Sequence, residues 1–327
     1  MPASVAVITG GTGFIGWNLC ESLRDSGWEV RAVVRPSSLN ALPEGVQRVD
    51  CELDEEAMAA VCEGATMVYH LAGLTRAVDY ESFVRVNVEG ARQAALAARR
   101  SGAFFLLVSS QAAAGPGTPQ HPRRESDEPA PLSQYGRSKL AGELAVAEIE
   151  GLRYAIVRPP GVYGPRDRDF LALFRGGKRG LCPILGDADT AYTLIHVADL
   201  VAAMRAVGET GADEIDAVQR QTFFVGHSEP VRQGDFPALL SETYERRVRA
   251  IPVPRWLLRA IAAAGELSAR VTGRPALMNR DRLRELDGPG LVCEVSKIER
   301  AVGHVARIEA ARGFADTADW YRQHRWL

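Results

Sequence analysis

The chain has 327 residues, of which 46% are hydrophobic and 24% charged, and its formal net charge at pH 7 is −2. This composition suits a globular protein, excludes the basic surface that nucleic-acid binding requires, and includes no run near the roughly 18 apolar residues of a membrane span. The five cysteines include no CxxC pair, and the six histidines are not spaced as metal ligands. We therefore expect reduced thiols, no metal site and a cytoplasmic location. From the composition we also expect no membrane contact.

The first element combines a strand, a glycine-rich loop and a helix. An apolar run over residues 5–8 predicts the strand, and the loop Thr9–Gly16 follows at once. Gly10 permits a sharp turn, Gly13 lets the backbone approach phosphate oxygens, and Gly16 allows the helix to pack closely on the sheet. The free amides at the start of the helix point at the same place. This segment therefore predicts a site for the diphosphate of a dinucleotide.

Short apolar runs then alternate with helical stretches through the first half of the chain. Strands are predicted near residues 4–9, 28–34, 46–50, 66–71, 103–109 and 153–157. Helices are predicted between them, near residues 14–26, 54–62, 80–100 and 133–150. This alternation predicts an α/β protein with a Rossmann-type, doubly wound parallel sheet and right-handed crossovers.

The rhythm changes after the sixth strand, where prolines and glycines interrupt it. Later strands are predicted at Thr193–Val197 and Thr222–Val225, and helices fill the last hundred residues. We predict a dinucleotide-binding domain over residues 1–165, with a return segment near 190–226, and a mainly substrate-binding, mostly helical region over 166–327. That region is expected to cover the carboxyl ends of the strands, where ligands bind in such sheets.

A tyrosine and a lysine, Tyr135 and Lys139, stand one helical turn apart and therefore on the same face. The pair suits proton transfer, because a free phenol has a pKa of ~10, too high for an efficient base at neutral pH. A neighbouring ammonium favours the phenolate and lowers that pKa. We therefore predict a general acid/base at Tyr135.

With the glycine loop and this pair in order, the sequence resembles the extended short-chain dehydrogenase/reductase family, also called the NAD-dependent epimerase/dehydratase family. The resemblance covers nearly the whole chain. Further motifs that carry it are His70-Leu71-Ala72-Gly73, Asn87-Val88-Glu89-Gly90, Ser109-Ser110, Arg158–Pro165 and His196–Leu200.

The resemblance implies a role for each matched residue. Tyr135 is the implied acid/base, Lys139 its partner, and Ser110, at the end of the fifth strand, the hydroxyl that hydrogen-bonds the substrate oxygen. Asn87 is expected to support the packing of helix and sheet. The implied cofactor site consists of Gly10, Gly13, Phe14, Ile15, Gly16, Arg35, Glu52, Leu53, Leu71, Ala72, Gly73, Tyr135, Lys139 and Pro159.

The end of the second strand bears on which nicotinamide cofactor binds. A carboxylate there would hold the ribose hydroxyls of NAD, but this strand ends in Val34-Arg35-Pro36. An arginine can bind a 2′-phosphate, and the missing carboxylate removes the repulsion that excludes NADP. Glu52-Leu53 stands where the family usually has Asp-Leu near the adenine. The sequence predicts NADP, with NAD as the alternative.

Three positions bear on the reaction. The 4,6-dehydratases of the family tend to carry Thr-Asp-Glu where this chain has Ser110-Gln111-Ala112. This chain therefore lacks the carboxylates that supply the acid and the base for elimination. The epimerases tend to carry asparagine where this chain has Gly161. The segments Arg158–Arg166 and Leu194–Leu200 look more like the 3β-hydroxysteroid dehydrogenase and dihydroflavonol reductase branches. We therefore predict hydride transfer between NADP(H) and a hydroxyl/ketone pair on a moderately apolar small molecule.

Two other functions stay open: a nucleotide-sugar epimerase, and a catalytically silent sensor or scaffold that keeps the cofactor. We also expect a homodimer, because the family commonly pairs the helices near residues 80–100 and 133–150, and both are alanine-rich here.

Two segments of the second half have more than one interpretation. Arg166, Arg168 and Arg175 form either a site for an anionic group or a solvated basic loop. The apolar residues of Trp256–Ala264 recur at helical spacing, so we expect core packing, with an apolar substrate lid or a membrane-surface contact as alternatives.

Overall fold

The computed structural model describes residues 4–210, 215–276 and 278–327. Strands and helices alternate through the first half, in the order β1 (Val5–Thr9), α1 (Phe14–Asp25), β2 (Glu29–Val34), β3 (Gln47–Asp50), α2 (Glu55–Val61), β4 (Met67–His70), α3 (Tyr80–Phe83), α4 (Gly90–Ser101), β5 (Phe104–Val108), α5 (Gln111–Ala114), α6 (Gln134–Ala147) and β6 (Tyr154–Arg158). A π-helical segment, Val84–Glu89, joins α3 to α4. The single helix predicted over residues 80–100 is therefore one helical run with a widened turn inside it.

Shorter elements make up the second half. In chain order they are β7 (Gly161–Tyr163), α7 (Leu171–Lys178), β8 (Leu181–Leu185), β9 (Ala191–Tyr192), β10 (Leu194–His196), α8 (Val197–Glu209), α9 (Ile215–Val218), β11 (Gln221–Phe224), β12 (Val231–Arg232), α10 (Phe236–Thr243), β13 (Arg249–Val253), α11 (Arg255–Thr272), α12 (Arg280–Leu286), β14 (Gly290–Leu291), α13 (Ser296–Val302) and α14 (Ala310–Gln323). The two predicted later strands are found as β10 and β11.

The central sheet has seven strands in the order β11-β6-β5-β4-β1-β2-β3, and every neighbouring pair is parallel. Strands β2 and β3 follow β1 toward one edge of the sheet, and β4 then pairs with the other side of β1. This reversal leaves a crevice between the carboxyl ends of β1 and β4, where such folds bind ligands. The predicted doubly wound Rossmann-type fold is confirmed.

Two apolar layers hold the helices on the two faces of the sheet. Leu19 and Leu23 of α1 pack with Met204 of α8 on one face, and Met58 of α2 and Val146 of α6 belong to one apolar cluster on the other, where α4 lies between the two helices. All five cysteines are buried free thiols. The division at residue 165 into two functional regions stays a prediction, although β11, from the second half, forms one edge of the central sheet.

Candidate active site

A cavity of about 1030 Å³ lies at the carboxyl ends of β1, β4, β5 and β6. The glycine loop and α6 form one side, and segments of the second half of the chain form the other. All of the predicted site residues line this cavity except Arg35, Glu52, Leu53 and Ala72. Residues far apart in sequence thus meet in one place, as the prediction required.

The glycine loop has the shape that a diphosphate needs. Gly10 has a φ of +76°, and a Cβ atom on Gly16 would lie 2.2 Å from the Gly10 carbonyl oxygen. Gly13 caps α1 without a side-chain hydrogen bond, and the first turn of the helix contains no acidic residue. The first amides and the positive end of the helix dipole are therefore left for an anion. These residues fit the diphosphate of a dinucleotide.

A buried hydrogen-bond chain fixes the neighbouring strand ends. The Thr9 hydroxyl accepts a hydrogen bond from the Ala72 amide at 3.2 Å and lies 2.9 Å from Nδ1 of His70. Burial, with a smaller effect of Lys139, lowers the pKa of His70 to about 3. The imidazole is therefore neutral at pH 7, and the Thr9 hydroxyl can donate to its unprotonated Nδ1. Ala72 thus joins two strand ends through its backbone and does not line the cavity.

The other three predicted residues outside the cavity follow β2 and β3. Arg35 is exposed directly after β2, and Glu52 is exposed two residues after β3. Leu53 packs on α4, where its Cδ1 lies 3.1 Å from the position of a Cβ on Gly90. Contact of these three residues with a cofactor stays a prediction.

Tyr135 and Lys139 lie in consecutive turns of α6, which Ser133 caps by accepting the Gly136 amide at 2.9 Å. The Lys139 ammonium donates to the Val108 carbonyl at 2.7 Å, and burial lowers its pKa to about 8. Burial raises the pKa of Tyr135 to about 12, against a smaller opposing effect of its hydrogen bond with Ser110. The pKa shift of the phenol is thus opposite to the one expected from a neighbouring ammonium, and its largest cause is burial. At neutral pH the phenol is protonated.

Asn87, inside the π-helical segment, holds the cavity wall together. Its Oδ1 accepts from the Leu74 amide at 2.7 Å, and its Nδ2 donates to the Leu74 carbonyl at 3.0 Å and to the Ser138 hydroxyl at 2.9 Å. The loop after β4 and the helix with Tyr135 are thereby fixed to one side chain. This is the supporting role expected for Asn87.

A buried ion pair beneath the site was missed by the sequence analysis. Arg158, at the end of β6, donates through Nε to Glu143 at 2.9 Å, and a second guanidinium nitrogen lies 2.5 Å from the other carboxylate oxygen. Ser109 donates to the same carboxylate, and all three side chains are buried. Glu143, one turn after Lys139 on α6, partly offsets the lowering of the Lys139 pKa by burial. The equal spacing of Tyr135, Lys139 and Glu143 was the signal that could have revealed the carboxylate.

The three arginines after β7 are neither a single anion site nor a freely solvated loop. The guanidinium carbon of Arg166 lies 3.4 Å from the ring centre of Trp17, and that of Arg168 lies 5.1 Å from the ring centre of Trp326. Both line the cavity, whereas Arg175 donates to the Trp326 carbonyl at 3.1 Å and lies outside it. Their aliphatic and planar groups are used in packing.

Comparison with known proteins gives consistent matches. The model of the NAD dependent epimerase/dehydratase family matches residues 6–218. The chain is 33% identical to the ceramide reductase of Caulobacter vibrioides, over 99% of this chain and 96% of that protein. It is 25% identical to 3beta-hydroxysteroid-dehydrogenase/decarboxylase isoform 2 of Arabidopsis thaliana, over 82% of this chain and 52% of that protein. The solved structure of MoeE5 in complex with UDP-glucuronic acid and NAD aligns with a TM-score of 0.78 at 24% identity, covering 98% of this chain and 100% of that one.

Proposed function

Because this chain belongs to the NAD-dependent epimerase/dehydratase family, we propose that it is an NADP(H)-dependent oxidoreductase that interconverts a hydroxyl and a ketone on a moderately apolar small molecule. The observation that carries this proposal is the hydrogen bond between Ser110 and Tyr135 in the cavity, beside a phenol whose pKa burial raises. A protonated phenol is the form that donates a proton to a ketone oxygen.

The chemistry divides between the cofactor and the chain. Bound NADPH supplies a hydride to the carbonyl carbon. Tyr135 donates its phenolic proton to the carbonyl oxygen, and Ser110 donates a hydrogen bond to the same oxygen while negative charge develops there. Lys139, held by the Val108 carbonyl, is proposed to contact the cofactor ribose, as the family resemblance implies. The ketone thus gains one hydride and one proton, and Tyr135 regains its proton from water.

The cavity wall supports an apolar substrate. Phe83, Phe170 and Phe236 all line the cavity that contains Tyr135. The relative from Caulobacter, by its printed name, reduces a ceramide, which supports an apolar ketone for this chain as well. We propose a long-chain or polycyclic ketone as the substrate class, since aromatic walls gain most by removing such surface from water.

The nucleotide-sugar alternative is less well supported. A Cβ atom on Gly161 would lie only 2.8 Å from Cδ2 of Leu194, so the space where epimerases tend to carry an asparagine is filled here by an apolar side chain. An epimerase would therefore need another diphosphate clamp. Dehydration lacks its acidic residues, because Gln111 and Ala112 stand in their place.

An assay separates the three candidate functions. We expect NADPH oxidation with long-chain or polycyclic ketones, and no thermal stabilisation by UDP-glucose, because only ligands that bind the folded state raise its stability. Strong stabilisation by UDP-glucose together with epimerisation would favour the sugar-nucleotide reaction. Tight NADPH binding without turnover of any ketone would favour the silent sensor.

The preference for NADP is proposed from the end of β2. Arg35 is exposed there, and Asp50, beside Val34 in the sheet, is already paired with Arg48 at 2.9 Å. Replacing Arg35 by aspartate should weaken NADPH binding by about tenfold or more and leave NADH binding nearly unchanged, since a charge-assisted contact is replaced by repulsion. Binding is measured by nucleotide fluorescence. Arg100→Asp, an equal charge change at the end of α4, is the control and should alter neither affinity.

If the unmodified protein binds NADH tenfold more tightly than NADPH, the assignment of Arg35 is wrong. Equal losses for both nucleotides in the Arg35 variant would show a general effect on the fold.

We also propose that the protein forms a homodimer through α4 and α6 and works in the cytoplasm. The alanines of α4 are buried in the protein's own core, so they do not by themselves support the dimer. Leu144 of α6, which is 56% exposed, is the side chain that a partner helix would cover.

A further inference from the structure

Helix α11 presents an apolar face to solvent, contrary to the core packing expected for Trp256–Ala264. Only Leu258, Ala262 and Ala269 of its residues are buried. The exposed large apolar side chains of the helix are Trp256 (70%), Leu257 (37%), Ile261 (46%), Leu267 (63%) and Val271 (80%). Among the described residues, no other element has as many. The apolar residues do recur at helical spacing, but most of their side chains face away from the core.

These five side chains form one continuous surface. With 3.6 residues per turn, they fall within about 140° of the helix circumference. Arg255, Arg259 and Arg270 fall together beside this arc. The helix therefore combines a wide exposed apolar face with a border of positive charge.

The charge around the helix is also unusual for this chain. Residues 246–274 contain seven arginines and a single carboxylate, Glu266, although the whole chain has a net charge of −2. Glu266 pairs with Arg280 at 3.5 Å and Arg255 pairs with Asp287 at 3.6 Å, whereas within the described residues Arg259 and Arg270 have no ion-pair partner. This region is complementary to an anionic surface.

The buried side of α11 lies against the wall of the active-site cavity. Leu258 and Ala262 pack in one cluster with Leu185 and Leu286, two residues that line the cavity. Gly265 permits a close approach, since a Cβ atom there would lie 2.4 Å from the Met278 carbonyl oxygen. A surface that covers the outer face of α11 is thus one helix away from the substrate cavity.

We propose that α11 docks on the surface of a lipid bilayer that contains anionic phospholipids, with its axis parallel to the membrane. Tryptophan and aliphatic side chains beside arginines are the composition of interfacial helices. Among the described residues no helix is long and apolar enough to cross a bilayer, and interfacial docking does not require one. A second copy docked by the same face would bring like-charged arginines together across a two-fold axis, which disfavours self-association there.

This proposal revises the expectation of no membrane contact, and it favours the membrane-surface alternative for Trp256–Ala264 over core packing. It goes beyond the proposed function, and its test does not depend on turnover: vesicle binding can fail while ketone reduction is found, or the reverse.

The test is sedimentation of the full chain with vesicles of phosphatidylcholine alone and with added phosphatidylglycerol. We expect binding to the anionic vesicles, weakened by salt, and at least about tenfold weaker binding to pure phosphatidylcholine. The double variant Trp256→Ser/Leu267→Ser should bind anionic vesicles at least about tenfold more weakly than the unmodified protein. Val305→Ser, which removes another exposed apolar side chain (45% exposed) far along the chain, is the matched control and should bind normally.

Arg259→Gln/Arg270→Gln provides an independent test that leaves the apolar face intact. It should reduce binding to anionic vesicles by about tenfold or more, and leave binding to phosphatidylcholine unchanged. Unchanged vesicle binding in both double variants would overturn the proposal. A light-scattering mass above that of a dimer would also overturn the proposal if this mass falls only when Trp256 and Leu267 are replaced. The apolar face would then bind another copy of the chain.

Discussion

Replacing Tyr135 by phenylalanine is expected to lower kcat by about 10²–10⁴-fold and to leave the affinity for NADPH nearly unchanged. The change removes one oxygen, and with it the proton that the substrate oxygen must receive. Nothing else in the glycine loop or the helix cap depends on that oxygen. Steady-state kinetics of ketone reduction and a separate NADPH titration measure the two quantities.

The pH dependence provides a second measurement on the same residue. Because burial raises the pKa of Tyr135 to about 12, the phenol stays protonated between about pH 6 and pH 9, and the Tyr135 proton should not limit reduction there. Alcohol oxidation needs the deprotonated phenol, so its rate should rise with pH over the same range. Tyr80→Phe, at an exposed tyrosine outside the cavity, is the control. Wild-type turnover in the Tyr135 variant would place the acid/base elsewhere.

Replacing Arg158 by methionine should lower the free energy of unfolding by about 3–5 kcal/mol, because it leaves the buried Glu143 carboxylate without its partner. Both side chains are about 95% buried, so water cannot replace the guanidinium. Replacing Glu143 by leucine in the same chain should recover most of the loss, since two apolar side chains can fill the space of the pair. Unfolding by urea, followed by fluorescence and circular dichroism, measures these differences.

The exposed pair Arg312–Asp316, with nitrogen and oxygen 4.0 Å apart, is the comparison. Arg312→Met should cost less than about 1 kcal/mol, because exposed ion pairs contribute little. A similarly small cost for Arg158→Met would show that the buried pair does not stabilise the folded protein more than an exposed pair does.

The features predicted correctly from the sequence depend on short spacings. The glycine loop is specified within eight residues, and Tyr135 and Lys139 are one helical turn apart. The parallel sheet follows from the alternation of apolar runs with helices, because parallel neighbours require crossovers. Each of these signals is local, so it can be read before the chain is folded.

The features that were missed depend on which surfaces meet. Arg158 and Glu143 come from a strand and a helix, and only the packed structure shows that they share one buried space. Burial sets the direction of the Tyr135 pKa shift, and segments distant in the chain contribute to that burial. On α11, periodicity predicted an apolar face, but not that this face lies away from the core.

The position of β11 at the edge of the sheet has a consequence for how the protein is made. β6 is buried along its whole length, and one of its edges is covered only by β11. During translation β6 is synthesised first, and Gln221, the first residue of β11, follows only after the intervening segments, including α8. Until then the edge of β6 is an open template for another strand. A gene fragment that stops near residue 165 would leave that edge uncovered permanently, because residues 1–165 do not contain every strand of the central sheet.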